Sequence, residues 1–218
     1  MPRVVIFANG LLPNLETVRN ILRPDDFLIG ADGGARLIMA LGLLPNFVIG
    51  DLDSLTEDDL YDLGSADVRV DQYPANKDET DLELAIQYAL QLSPSSIIIV
   101  AALGGRMDQT LGNISLLTDL LMSNIDIRLD DGVEEIFFCR DQAQVHGKST
   151  DIVSLIPWNG DVSGIVTTGL KWPLRSETLF SYKTRGLSNE MINETATVQI
   201  KSGLLLIVHR RADKLLES

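Results

Sequence analysis

The chain has 218 residues, of which 45% are hydrophobic and 22% are charged, a composition typical of a soluble globular protein and not of a disordered one. Its formal net charge of −13 would repel phosphate backbones, which argues against nucleic-acid binding. A single cysteine, Cys139, excludes an intrachain disulfide and fits a cytoplasmic location, and no apolar run reaches the roughly 20 residues that a membrane-spanning helix needs.

Strands and helices are predicted to alternate through the first part of the chain. Apolar β-branched runs that predict strands occur at 3–9, 27–32, 47–51, 68–74 and 95–103. Stretches with helical spacing follow them: a segment near 14–22, "GGARLIMALG", "TEDDLYDL", "TDLELAIQYALQL" and "DQTLGNISLLTDLLM". Thr80 and Glu83 form a capping-box pattern, so the fourth helix is predicted to start at Thr80. The alternation predicts an α/β fold, a mostly parallel sheet with helices on both faces.

The pattern changes after about residue 125, where short alternating stretches are separated by glycine and polar turns. These stretches are "EEIFFC", "DIVSLIPW", "GIVTTGL", "ATVQIKSG" and "LLLIVHRR". They predict a smaller antiparallel domain, a β-sandwich or a partial barrel. We therefore expect an α/β domain over 1–130 and a β-sandwich domain over 131–218.

Acidic residues and glycines follow four of the predicted parallel strands. The carboxyl ends of such strands meet at one edge of the sheet, where ligands of this fold class bind, so these side chains are expected to converge. The charged and polar members of the four turns are Asp32, Asp51, Asp53, Lys77, Asp78, Asp81, Arg106, Asp108 and Gln109.

Carboxylates so close together would repel one another unless a cation neutralised them. A cluster of carboxylate oxygens without His or Cys suits Mg²⁺, which keeps part of its coordination shell for water and phosphate. Lys77 and Arg106 would complement phosphate oxygens, and Gly33, Gly104 and Gly105 would let the backbone approach a polyphosphate. Together these are the parts of a phosphoryl-transfer site.

Each of these residues, taken alone, has a simpler explanation. Asp32 or Asp108 is as well explained as a helix N-cap, and Lys77 as a solvated surface charge. The usual nucleotide motifs are absent, because "HGKST" has Gln142 where a P-loop has its first glycine, and no G-x-G-x-x-G follows the first strand. The hypothesis therefore depends on four turns that carry the same chemistry.

Six motifs, in this order along the chain, resemble those of the thiamine pyrophosphokinase family. They are "ADGGA", "GDLDS", "KDETD", "GGRMDQ", "TTGLKWPL" at 167–174 and "GLSNE" at 186–190. The resemblance covers nearly the whole chain. It implies an enzyme that uses Mg²⁺ and transfers the pyrophosphoryl group of ATP to the hydroxyl of thiamine, giving thiamine diphosphate and AMP.

The resemblance also implies a homodimer, with an active site between the α/β domain of one subunit and the β domain of the other. The catalytic acids would be Asp51, Asp53, Asp78, Asp81 and Asp108, the first four as Mg²⁺ ligands. The residues facing ATP would be Lys77, Arg106 and Gln109, together with Asp32, Gly33 and Gly105 of the same turns. The residues holding thiamine would be Trp172, Ser188 and Asn189.

Two alternatives stay open. The first is another Mg²⁺-dependent phosphotransferase that acts on a different alcohol, for which ADP in place of AMP would indicate transfer of a single phosphoryl group. The second is a non-catalytic sensor of thiamine or nucleotide on the same fold. A sensor has no need of several carboxylates beside a triphosphate, which favours an enzyme.

Overall fold

The structure, a computed structural model, describes residues 1–12, 14–120 and 125–212. The chain divides into two compact units, an N-terminal unit of Met1–Gly132 and a C-terminal unit that begins at Val133. The assignment of separate functional domains to 1–130 and 131–218 stays a prediction. None of the described helices is both long and apolar enough to cross a membrane.

Six strands of the N-terminal unit pair in parallel. They are β1 (Arg3–Phe7), β2 (Phe27–Ala31), β3 (Phe47–Gly50), β4 (Arg69–Gln72), β5 (Ser96–Val100) and β6 (Asp126–Asp130). Their order is β4–β3–β2–β1–β5–β6, so the direction in which the sheet grows reverses between β1 and β5. The first five strands confirm the predicted runs, each shortened at one end or both, whereas β6 was not predicted.

In the part of the chain that the structure describes, five helices connect these strands and confirm the predicted helices. They are α1 (Leu15–Arg19), α2 (Gly34–Ala40), α3 (Glu57–Ser65), α4 (Asp81–Gln91) and α5 (Met107–Leu120). Thr80 is the N-cap of α4, where its hydroxyl accepts a 3.2 Å hydrogen bond from the Glu83 backbone N–H. Residues 121 and 122, also predicted as helical, lie outside the described residues.

Helices pack on both faces of the parallel sheet, as predicted. Successive strand residues point to opposite faces. On β3, the Phe47 ring stacks on Tyr88 of α4 at 3.9 Å between ring centroids, whereas Val48 joins an apolar cluster with Ala35 of α2 and Leu63 of α3. The core therefore lies on both sides of the sheet, and the carboxyl ends of the strands stay free for a site.

Within its described residues, 133–212, the C-terminal unit contains seven strands that pair antiparallel. They are β7 (Glu134–Cys139), β8 (Gln142–His146), β9 (Ile152–Thr168), β10 (Arg175–Leu179), β11 (Asn189–Glu190), β12 (Thr195–Gln199) and β13 (Ser202–Arg210). "DIVSLIPW" and "GIVTTGL" were predicted as two strands but form the single strand β9. Its first half pairs with β13 and its second half with β10 and β12, so β9 takes part in two sheets around one apolar core.

A buried ionisable group stabilises the end of this unit. Asp151 is 2% exposed and its carboxylate accepts backbone hydrogen bonds from Lys148 and Ala212, both at 2.9 Å. Nε2 of His209 lies 2.9 Å from the same carboxylate, and Nδ1 of His209 lies 3.3 Å from Glu135. Burial alone would raise the pKa of Asp151, but the two N–H donors and His209 together outweigh it and lower that pKa below 3.8.

This lowered pKa predicts a loss of stability in acid. Because the folded-state pKa of Asp151 lies below its ordinary value of 3.8, its stabilising contribution is present above that value and is lost as the pH falls through the folded pKa. We expect the free energy of unfolding to fall progressively as the pH drops below about 5 in urea titrations, and to fall less steeply in Asp151→Asn. Equal pH dependence of the two proteins would contradict this prediction.

Candidate active site

A cavity of about 410 Å³ lies in the N-terminal unit at the carboxyl ends of β1, β2 and β5. The strand order reverses between β1 and β5, and ligands of open α/β sheets bind at such a reversal. Side chains and backbone from four turns reach it, and among them are Asn9, Asp32, Asp81, Gly105, Arg106 and Gln109. Five of these six were predicted as site residues, and Asn9 was not.

The "ADGG" turn lets α2 begin directly against β1. A Cβ atom built on Gly34 would lie 1.8 Å from the backbone oxygen of Phe7, so no side chain fits there. Asp32 adopts a left-handed backbone with φ 48°, a conformation that Asp tolerates better than most residues. Glycine is therefore required by the close packing of backbone on backbone, and this packing brings Asp32 to the cavity.

We expect Gly34→Ala to destabilise the protein by about 3 kcal/mol, because its methyl group would displace the backbone of β1. Thermal or urea unfolding of the purified variant measures the loss. Gly112→Ala is the matched control, since a Cβ at Gly112 of α5 meets no described atom within 4 Å. That control is expected to be neutral or stabilising by up to about 1 kcal/mol. Equal stability of the two variants would contradict the packing argument.

The "GDLDS" turn holds two carboxylates outward by burying the single apolar residue between them. Leu52 has a left-handed φ of 66°, is 8% exposed and packs in one cluster with Val48 and Leu55. Asp51 and Asp53 flank it, half-buried and exposed respectively. Burial of Leu52 thus anchors the turn, and both carboxylates stay available to a ligand.

Three carboxylates meet at this edge of the sheet. Oxygen atoms of Asp32, Asp51 and Asp53 all lie within 4.8 Å of one another, and Asp32 is only 5% exposed. Three like charges at this distance, one of them buried, favour a bound cation. An all-oxygen donor set fits Mg²⁺. Asp51 and Asp53 were predicted as metal ligands, whereas Asp32 was predicted only as a contact to ATP.

Asp78 and Asp81, also predicted as metal ligands, lie outside this group of three. Asp81 begins α4, and its carboxylate forms a 2.9 Å ion pair with the ammonium of Lys77. Oδ1 of Asp81 is the buried oxygen that takes part in this ion pair. Contact with Asp81, followed by the charges of Asp51 and Asp32, raises the pKa of Lys77. Lys77 is therefore a cation at neutral pH.

The "GGRMDQ" turn carries an exposed ion pair. The guanidinium of Arg106 contacts both carboxylate oxygens of Asp108, at 3.1 Å through Nε and 2.5 Å through Nη2. This contact, together with the Gln109 backbone N–H, lowers the pKa of Asp108, which stays ionised at neutral pH. Arg106 and Gln109 line the cavity, whereas Asp108 does not belong to its lining.

Hydrogen bonds connect two of the clustered carboxylates to a residue that the sequence did not indicate. Nδ2 of Asn9 donates to Asp32 at 3.2 Å and to the Ser54 hydroxyl at 2.9 Å, and that hydroxyl donates to Asp53 at 3.2 Å. The Ser54 backbone N–H also points to Asp32 at 3.4 Å. The available signal for Asn9 was its position as the polar last residue of the first apolar run, 3–9, at the predicted site edge.

The C-terminal unit brings Trp172 and Asn189 together, and Ser188 precedes Asn189 in the chain. The Trp172 side chain is 56% exposed, so it is not part of the core. Asn189 is buried, and its side chain accepts from the Trp172 backbone N–H at 3.1 Å and donates to the Trp172 backbone oxygen at 2.7 Å. Asn189 therefore fixes the loop that presents the indole ring.

Charged residues flank this indole ring. The ammonium of Lys171 lies 5.1 Å from the centroid of the Trp172 ring and forms a 2.9 Å ion pair with Glu190. Ser188 has a left-handed φ of 56°, and its backbone N–H donates to the hydroxyl of Ser154 at 3.0 Å. The Lys171 ammonium lies within the distance at which an aromatic ring attracts a cation, so the face of the Trp172 ring suits a positively charged group.

Sequence comparison identifies both parts of the chain with one family. Residues 18–129 match the profile of the thiamin pyrophosphokinase catalytic domain, and residues 141–205 match that of the thiamin pyrophosphokinase vitamin B1 binding domain. The thiamine pyrophosphokinase of Bacillus subtilis (strain 168) is 34% identical over 182 residues, which cover 83% of this chain and 85% of that protein.

Solved structures agree with the sequence comparison. The crystal structure of thiamine pyrophosphokinase from Bacillus subtilis superposes with a TM-score of 0.87 at 30% identity, covering 96% of this chain and 99% of the other. That of thiamin pyrophosphokinase from Geobacillus thermodenitrificans gives 0.80 at 28% identity, covering 95% and 97%. The profiles, the relative and the two structures together establish that this chain is an enzyme and belongs to the thiamin pyrophosphokinase family.

Proposed function

We propose that this protein transfers the pyrophosphoryl group of ATP to the hydroxyl of thiamine and releases AMP and thiamine diphosphate. The observation that carries this proposal is the group of Asp32, Asp51 and Asp53 beside the cavity in a member of this family. Phosphoryl transfer needs a charged site that positions the polyphosphate and offsets the charge that develops on it. Carboxylates that gather a cation, with Lys77 and Arg106 nearby, meet that need.

Asp32, Asp51 and Asp53 are the residues that would hold Mg²⁺. The bound ion would supply charge neutralisation at the phosphate oxygens, which the three anionic side chains alone would repel. Asp78 is retained as a predicted ligand of the metal, either directly or through water. The buried Asp32 fixes one side of this donor set, and the exposed Asp53 leaves the other side open to substrate.

Lys77 and Arg106 would bind the phosphates of ATP, with support from Gln109 and the backbone at Gly105, which adopts a left-handed φ of 71°. Arg106 is exposed and pairs with the carboxylate of Asp108. Because phosphate and carboxylate are both anionic acceptors for a guanidinium, a phosphate group can replace Asp108 as the partner of Arg106. Before ATP binds, Asp108 would orient the guanidinium of Arg106. Gly33, at the start of α2, leaves room for the side chain of Asn9 beside the cavity.

Asp81 is the residue that we propose as the acceptor of the thiamine hydroxyl proton. It lines the cavity, whereas Asp78 is not among the residues that line it. Lys77 at 2.9 Å keeps that carboxylate oriented. The deprotonated hydroxyl would attack the β-phosphorus in line, with AMP as the leaving group.

Trp172 would bind thiamine through its exposed indole ring. Thiamine carries a permanently cationic thiazolium and a flat pyrimidine, both of which suit an aromatic face. Asn189 supports the ring through the Trp172 backbone, and Ser188, the residue before Asn189, is a predicted contact to thiamine. We also propose that the protein acts as a homodimer in the cytoplasm, in keeping with the family and with its single buried cysteine.

Product analysis tests the proposal. The purified protein is incubated with ATP, Mg²⁺ and thiamine, and nucleotides and thiamine esters are separated by chromatography. We expect AMP and thiamine diphosphate in equal amounts, and only when Mg²⁺ is present. ADP together with thiamine monophosphate would keep the metal site and overturn the reaction. Binding of thiamine without turnover would indicate a sensor.

A further inference from the structure

Asn9 connects the end of β1 to the acidic group at the ends of β2 and β3. We propose that Asn9 is a positioning residue that orients Asp32 and, through Ser54, Asp53 for a divalent cation. This inference rests on the proposed function, because the same carboxylates are the proposed Mg²⁺ ligands. Asn9 itself would not contact the reacting atoms.

The chemistry of the partners fixes the orientation of the Asn9 amide. An ionised carboxylate only accepts hydrogen bonds, so the atom of Asn9 that faces Asp32 at 3.2 Å must be the NH₂ group. Its second hydrogen points to the hydroxyl oxygen of Ser54 at 2.9 Å. The hydroxyl hydrogen of Ser54 is thereby directed to Asp53 at 3.2 Å. One amide thus sets the direction of hydrogen bonds to two carboxylates.

The backbone beside Asn9 is shaped to hold this amide in place. A Cβ atom built on Gly33 would lie 2.4 Å from Oδ1 and 2.7 Å from Nδ2 of Asn9. Gly33 has an ordinary helical φ of −58°, which any residue can adopt. Glycine is therefore needed here to leave room for the Asn9 side chain, and not for its backbone conformation. The amide therefore packs flat against the start of α2, where a methyl group would displace it.

Orientation matters here because three carboxylates with oxygens within 4.8 Å repel one another before a cation binds. Donors from Asn9 and Ser54 offset part of that repulsion and hold the oxygens in the arrangement that the cation needs. Partners of this kind, which contact ligands and not the metal, typically change metal affinity by about 10- to 100-fold. We expect a change in metal affinity near the tenfold end of this range, because the Ser54 backbone N–H still reaches Asp32 in the absence of Asn9.

The test is an isothermal titration calorimetry experiment, in which Mg²⁺ or Mn²⁺ alone is added to the whole, nucleotide-free protein. Asn9→Ala is expected to weaken binding about tenfold while the metal-free protein keeps its thermal midpoint. Asn113→Ala is the matched control. Asn113 lines the same cavity, but its amide donates to the backbone oxygen of Ala102 at 2.9 Å, so metal affinity should stay unchanged.

Gly33→Ala is a second variant, which keeps Asn9 but displaces its amide. It should weaken metal binding as Asn9→Ala does, and it replaces that variant if Asn9→Ala fails to fold. In activity assays with variable Mg²⁺, Asn9→Ala should need about tenfold more Mg²⁺ for half-maximal rate. A purely structural role would lower kcat or stability without changing the Mg²⁺ requirement.

Two failures are distinguishable. If wild type binds the cation and both variants bind it equally well, Asn9 has no positioning role and the proposed function is unaffected. If wild type binds no Mg²⁺ or Mn²⁺ at millimolar concentrations, the metal site in the proposed function fails, and the inference about Asn9 fails with it.

Discussion

Asp53→Asn is expected to lower kcat by a factor of about 100 to 1,000 with little change in stability. The substitution keeps the size of the side chain and removes one of three charges that would hold the cation. Asp53 is exposed, and its carboxylate accepts only from the Ser54 hydroxyl among the described hydrogen bonds, so folding should be preserved. Steady-state kinetics at several Mg²⁺ concentrations measure the loss, with circular dichroism as the check on folding.

Asp58→Asn is the matched control for this variant. Asp58 is an exposed carboxylate in the first turn of α3, five positions along the chain, and lies outside the acidic group. Its substitution should leave kcat and the Mg²⁺ requirement within about twofold of wild type. Full activity of Asp53→Asn with a normal Mg²⁺ requirement would contradict the assignment of the metal site.

Trp172→Ala is expected to raise KM for thiamine about tenfold, corresponding to about 1.4 kcal/mol of lost stacking and cation–π attraction. KM for ATP should stay nearly constant, because the proposed phosphate contacts lie in the other unit. Stability should change little, since the ring is 56% exposed. Initial rates with each substrate varied in turn separate the two effects, and Trp172→Phe should fall between wild type and alanine.

Tyr182→Ala controls for the loss of an exposed aromatic ring from the same unit. Tyr182 is 74% exposed and contacts Phe180 and Lys183, residues to which we assign no part in binding. Its KM for thiamine should match that of wild type. An unchanged KM in Trp172→Ala, or an equal rise in both variants, would show that Trp172 does not hold thiamine.

The parallel half of the fold was predictable because each strand and helix carries its own local signals. Thr80 caps α4 as its sequence pattern indicates, and the apolar run of β5 is buried. The sequence pattern did not predict that β6 belongs to the parallel sheet. Asp126, Arg128 and Asp130 alternate with apolar residues there, an alternation more typical of a strand with one exposed face. The pattern also failed for β9, because glycine and polar residues at 159–164 read as a turn but form a bend within one strand.

The acidic edge was predictable from topology, but the partners within it were not. Parallel strands bring their carboxyl ends together, so the convergence of Asp32, Asp51 and Asp53 follows from the alternating pattern. Which carboxylate pairs with Lys77 depends on side-chain orientation, and the link between Asn9 and Ser54 joins residues 45 positions apart. Asn189 likewise uses its amide on the Trp172 backbone, a tertiary contact that the turn motif does not encode.

The central claim is the transfer of an intact pyrophosphoryl group, and ATP labelled at the β-phosphorus tests it most directly. The enzyme is incubated with this ATP, Mg²⁺ and thiamine, and the label is followed through the separated products. Attack on the β-phosphorus predicts that the label moves to thiamine diphosphate while the released AMP carries none. Label that remains in ADP, with unlabelled thiamine esters, would mean transfer of the γ-phosphoryl group and would contradict the proposed reaction.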